Sequence, residues 1–122
     1  MKILLIEDDI LVREVVIEML RSLGHSVLSA TEGRAGLARL EAGDSVDLVL
    51  TDLKMPHMSG WEVVKAVRTR WPHLPVGIIT GTPELLSEQQ EPVDVVIRKP
   101  VGLDSLRKAI SRFHPGPEAE VQ

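Results

Sequence analysis

The chain has 122 residues, 43% of them hydrophobic and 26% charged, with a net charge of −4 and no cysteine. These values fit one globular domain with a real core. They exclude disulfides and thiolate metal sites and argue against non-specific nucleic-acid binding, which wants a basic face. The longest apolar runs fall far short of the ~18 residues of a membrane span. Met1 leads almost at once into a strand, so a cytoplasmic domain without a signal peptide is expected.

The first stretch, Lys2–Asp9, is an apolar run that ends in three carboxylates, Glu7, Asp8 and Asp9. A short apolar run bounded by polar residues reads as a buried strand of a parallel sheet. In open α/β sheets ligands bind beyond the carboxyl ends of the strands. Carboxylates crowded there repel one another by about 1 to 4 kcal/mol per pair at ~4 Å, so something cationic is needed. Val12, Val15, Val16, Met19, Leu20 and Leu23 then recur on one face of a helix, with Gly24 at its C-cap. Asp9 suits the N-cap of that helix better than a metal site.

Ser26–Ala30 predicts a second strand, and Gly33–Ala42 a helix with Leu37 and Leu40 inward and Gly43 as its stop. Val46–Asp52 repeats the opening theme, apolar and ending in a carboxylate. A loop, 53–58, leads to Ser59 and Glu62 at capping-box spacing. Trp61, Val64, Val67 and Trp71 then mark a helix packed through its two tryptophans, closed by Pro72. Pro75–Thr80 is a fourth strand. Thr82 and Pro83 are placed to open a short polar helix over Glu84–Gln90, closed by Pro92. Val93–Ile97 is a fifth strand running into Arg98, Lys99 and Pro100, and Leu103, Leu106, Ile110 and Phe113 line a last helix. Residues 115–122, with Pro115 and Pro117, are expected to be a flexible tail or linker beyond a domain spanning 1–114.

Five strands alternating with helical patterns imply βα units and a parallel sheet covered on both faces. Glu7, Asp8, Asp52, Thr80 and Lys99 then share one edge. Oxygen donors without cysteine or clustered histidine favour Mg²⁺. A carboxylate can act as a nucleophile toward phosphorus, and an ammonium, a hydroxyl and Mg²⁺ around it supply the neutralisation that phosphoryl transfer needs.

On Glu7-Asp8, Asp52, the Met55-Pro56…Gly60 loop, Thr80 and Lys99-Pro100, the chain resembles a response-regulator receiver domain over about Lys2–Phe113. The resemblance implies a flavodoxin-like (βα)5 fold, a doubly wound sheet of order 2-1-3-4-5. It makes Asp52 the phosphoacceptor of a two-component phosphorelay. Mg²⁺ would be bound by Asp8, Glu7, an Asp52 oxygen and the Lys54 carbonyl. Lys99 would meet a phosphoryl oxygen and precede a cis Pro100, and Thr80 would hydrogen-bond the phosphate. Lys54 and Thr82, two residues beyond Asp52 and Thr80, are placed either to rim the site and tune hydrolysis of the acyl phosphate or to serve as plain loop residues. The implied partners are a sensor histidine kinase or histidine phosphotransfer domain and a downstream effector or output domain. A phosphorylation-dependent homodimer is compatible; direct nucleic-acid and membrane partners are not expected.

Two departures bear on output. Val96 stands where the family usually has an aromatic residue, and the chain has no tyrosine. The segment between Thr80 and Lys99 is also short and polar where a fourth helix should run. A Mg²⁺-dependent phosphohydrolase of the haloacid-dehalogenase kind would want an Asp-x-Asp pair and a cap domain, and the chain has neither. A receiver-like module acting by binding alone would suit the altered output segment, but would not account for the retained acidic edge.

Overall fold

In the computed structural model, described over residues 1–88 and 91–113, five parallel strands form one sheet of order β2-β1-β3-β4-β5. The strands are β1 (Lys2–Ile6), β2 (Ser26–Ala30), β3 (Leu48–Asp52), β4 (Val76–Thr80) and β5 (Val95–Arg98). The helices are α1 (Ile10–Ser22), α2 (Gly33–Glu41), α3 (Gly60–Arg70) and α4 (Leu103–Ile110). This is the strand order that the resemblance implies.

The central strands are buried almost throughout, and successive side chains go to opposite faces of the sheet. Ile3, Leu5, Leu48, Leu50 and Ile79 pack with Val16 and Leu20 of α1 and Leu106 and Ile110 of α4. Leu4, Ile6, Val49, Val76 and Ile78 pack with Leu37 and Leu40 of α2 and Val63, Val64 and Val67 of α3. Each such side chain contributes about 1.5–3 kcal/mol on burial, so the two faces hold the three inner strands rigidly. The α1 helix ends where Gly24 adopts a φ of +93°, a backbone that an L side chain rarely takes.

Several expectations needed correction. Val15 and Leu103 are 52% and 47% exposed rather than in the core. Val63 is fully buried, while Trp61 and Trp71 only lean against the core. Strand β3 starts at Leu48, not Val46, β4 at Val76, not Pro75, and β5 covers Val95–Arg98, not Val93–Ile97. The last helix ends at Ile110 and passes into a 3-10 turn over Ser111–Phe113.

In place of a helix over Glu84–Gln90 there is a 3-10 helix over Pro83–Glu88, with Leu86 against the α2/α3 side of the core. A polar window this short cannot nucleate a regular helix on its own. Gln89, Gln90 and residues 114–122, which include the expected tail, lie outside the described residues.

The approach to β5 is held instead by Arg68 on α3. Its Nε donates to the Pro92 carbonyl at 3.1 Å and its Nη2 to Asp94 Oδ2 at 2.7 Å. The same Asp94 oxygen accepts from the Val76 amide at 2.9 Å, tying α3, β4 and the entry to β5 together.

Candidate functional site

Parallel strands joined by right-handed crossovers bring all five C-terminal ends to one edge of the sheet. Strand β1 delivers Glu7 and Asp8 there. Asp9 follows as the N-cap of α1, its Oδ1 accepting from the Leu11 and Val12 amides at 2.9 and 3.1 Å. Asp9 is therefore spent on the helix, as its position predicts. Strand β3 delivers Asp52, β4 delivers Thr80, and Lys99 follows β5.

Glu7, Asp8 and Asp52 each bring a carboxylate oxygen within 4.8 Å of the others. Glu7 and Asp52 are buried and Asp8 is exposed, so the cluster opens to solvent on the Asp8 side. Lys99 supplies the cation that the sequence demanded. Its Nζ lies 2.8 Å from Glu7 Oε1 and 3.1 Å from Asp52 Oδ2. Asp52 Oδ1 accepts from the Leu53 amide at 2.8 Å, which fixes the carboxylate plane. The Lys99–Pro100 peptide bond is cis.

The loop after β3 closes tightly on Asp52. The Gly60 amide donates to the Leu53 carbonyl at 2.8 Å, and a Cβ on Gly60 would run into the Asp52 backbone carbonyl. Gly60 is thus required for backbone approach. Lys54 is two residues past Asp52, its side chain exposed.

Burial drives the Glu7 carboxyl up to a pKa of about 7; Lys99 pulls it down, but the neighbouring Asp52 charge adds to the rise. For Lys99, burial opposes the charge, yet bonds to Glu7 and Asp52 outweigh it and hold the ammonium above its ordinary value. The two directions are consistent, because one ammonium serves two carboxylates. Lys99 stays charged, while burial raises the Glu7 carboxyl.

Thr80, 1% exposed, borders this cluster: the Lys99 amide donates to its carbonyl at 2.9 Å. Its hydroxyl is engaged in the turn that follows β4, accepting from the Thr82 amide at 2.9 Å and lying 3.2 Å from Thr82 Oγ1.

Two features of the site escaped the sequence. One is the direct Glu7–Lys99 ion pair, since nothing in spacing says which carboxylate an ammonium will choose. The other is Arg13, whose Nη1 donates to the Glu7 carbonyl at 3.1 Å and braces the β1–α1 turn. Its place one helical turn beyond the Asp9 cap could have signalled that contact.

The family model for the response regulator receiver domain matches residues 3–111. The chain belongs to the response regulator receiver domain family. It is 31% identical to the chemotaxis protein CheY of Pseudomonas aeruginosa, over 93% of this chain and 95% of that protein. Among solved structures it is similar to the chemotaxis response regulator CheY4 of Vibrio cholerae, with a TM-score of 0.82 and 31% identity over 92% of this chain and 97% of that one. It is also similar to the response regulator protein TrrA of Thermotoga maritima in complex with Mg²⁺-BeF, with a TM-score of 0.81 and 25% identity over 92% and 97%. Larger curated relatives match as well, and the chain spans only 12 to 30% of their length. The fold and family make this a receiver domain homologous to the response regulators of two-component systems. No helix among the described residues is long and apolar enough to cross a membrane.

Proposed function

We propose that Asp52 is the phosphoacceptor. The observation that carries this is its carboxylate: buried at a strand end, fixed through Oδ1 by a backbone amide, and held through Oδ2 by Lys99 beside two more carboxylates. In the transfer the Asp52 carboxylate attacks phosphorus, the O–P bond forms, and the N–P bond of a phosphohistidine breaks with its electron pair left on the imidazole. The donor is a sensor histidine kinase or a histidine phosphotransfer domain. Lys99 neutralises charge on a phosphoryl oxygen, and Thr80 offers a hydrogen bond to another. The domain catalyses its own phosphorylation and dephosphorylation and is not a turnover enzyme. It works in the cytoplasm and passes the signal to an effector or an output domain.

An all-oxygen donor set with one open side fits Mg²⁺, which takes one or two carboxylates and keeps waters and phosphate oxygens. Glu7, Asp8, Asp52 and the Lys54 carbonyl would hold it. When bound it supplies Lewis-acid neutralisation of the phosphoryl oxygens. The cluster in this chain and the Mg²⁺-BeF complex of TrrA both support that reading.

The test is the intact mass after incubation with a small-molecule phosphodonor, with and without Mg²⁺, beside Asp52→Asn. One phosphoryl gain that requires both Mg²⁺ and Asp52 is expected. Mg²⁺ binding without any gain would replace this reading with a module that acts by binding alone, to which the exposed Val96 and the 3-10 helix lend some support.

A further inference from the structure

A hydroxyl can donate one hydrogen bond and accept two. Phosphoryl oxygens only accept, so Thr80 can serve a phosphoryl group only by donating. In this structure its Oγ1 accepts from the Thr82 amide at 2.9 Å and shares a second bond with Thr82 Oγ1 at 3.2 Å. If Thr80 donates that second bond, its one proton is already used. If Thr82 donates it, both acceptor positions of Thr80 are filled and the hydroxyl is pinned toward the turn. In either case the Thr82 hydroxyl ties the Thr80 oxygen to the turn, and that bond is lost if the Thr80 hydroxyl turns toward a phosphoryl group on Asp52.

We propose that Thr82 is a positioning residue that latches Thr80 in its resting orientation and so sets the threshold of the switch. This inference rests on Asp52 being the phosphorylation site. Thr82 is half-buried and directly precedes the 3-10 helix Pro83–Glu88. Withdrawal of the Thr80 hydroxyl would therefore remove a bond from the turn that starts this helix, on the stretch of chain where the regular fourth helix is missing. The latch lies along the chain itself. It needs no bulky side chain on β5, where Val96 is 38% exposed.

Removing the hydroxyl alone should make the activated state easier to reach. One net hydrogen bond corresponds to about a two- to tenfold change in an equilibrium constant. The test is a calorimetric titration with beryllium fluoride, a phosphoryl mimic, in saturating Mg²⁺. Thr82→Val keeps the backbone amide and the shape of the side chain, and should bind about two- to tenfold more tightly than the wild type. Thr82→Ser, which restores a hydroxyl, should return to within about twofold of wild type. In a Thr80→Val background the Thr82→Val change should have no effect, because there is nothing left to latch. Equal affinity of Thr82→Val and wild type would overturn the proposal. So would a tightening that persists without the Thr80 hydroxyl, since Thr82 would then act on the ligand directly. Wild type that binds Mg²⁺ but no beryllium fluoride would instead overturn the phosphorylation-site reading beneath it.

Discussion

Glu7 carries a carboxyl group to a place that water scarcely reaches, 1% exposed and beside a second carboxylate. With its pKa at about 7 in the fold and near 4.5 in the unfolded chain, the folded state binds the extra proton between those values. Stability of the metal-free domain should therefore be highest below about pH 4.5 as far as this group is concerned, and fall as pH rises to about 7. The loss should be on the order of 2–3 kcal/mol. Lys99 remains charged throughout that window and adds no slope. Denaturant titrations across pH 5–8 should show the decline in wild type and a flatter profile in Glu7→Gln. A profile unchanged by that substitution would mean that Lys99 satisfies Glu7 fully. The carboxylates of the acidic edge were legible in the sequence because each closes an apolar run of strand length. Their pairing was not, because it depends on how far Lys99 reaches from the end of β5 across the sheet edge to Glu7 at the end of β1.

At the scale of the element, α1 shows how a local rule can assign a role that a cluster of charges obscures. Three acidic residues in a row invite a metal reading for all of them, yet the Asp9 side chain caps two amides of the helix. Asp9→Ala should lower stability by about 1 kcal/mol in chemical denaturation. Calorimetric Mg²⁺ affinity should change less than twofold, whereas Asp8→Ala should weaken Mg²⁺ binding with little loss of stability. A large drop in metal affinity on losing Asp9 would return it to the ligand set. Helical periodicity located every α-helix but blurred its margins. Val15 lies beside the stripe that Val16 and Leu20 bury, and the template read one flank too many as core. On α3 the reverse happened, since counting from Trp61 passed over Val63. The 3-10 helix was the real surprise, and its cause is visible in the chain: a short polar window between Pro83 and Pro92.

For the whole molecule, two cores on either face of one sheet fix the backbone, while the chemistry is confined to one edge where charge is crowded. A ligand that binds only the folded state stabilises it by mass action. Mg²⁺ at about one hundred times its dissociation constant should raise the unfolding free energy by roughly 2.7 kcal/mol. Scanning calorimetry with and without Mg²⁺ should show the shift in wild type and a smaller one in Asp52→Asn. Equal shifts would place the ion away from Asp52.

Strand β5, the last in the sheet, has one further consequence. An edge strand is a template on which a neighbouring copy can lay its own backbone, the first step toward insoluble assemblies. Here the template is four residues long, lies between Pro92 and Pro100, and carries Arg98 exposed. Proline offers no amide for a strand to pair with, and an outward guanidinium deters stacking of identical chains. Among the described residues this edge is therefore short and closes on an exposed cation, which limits how far a second copy could extend the sheet along it.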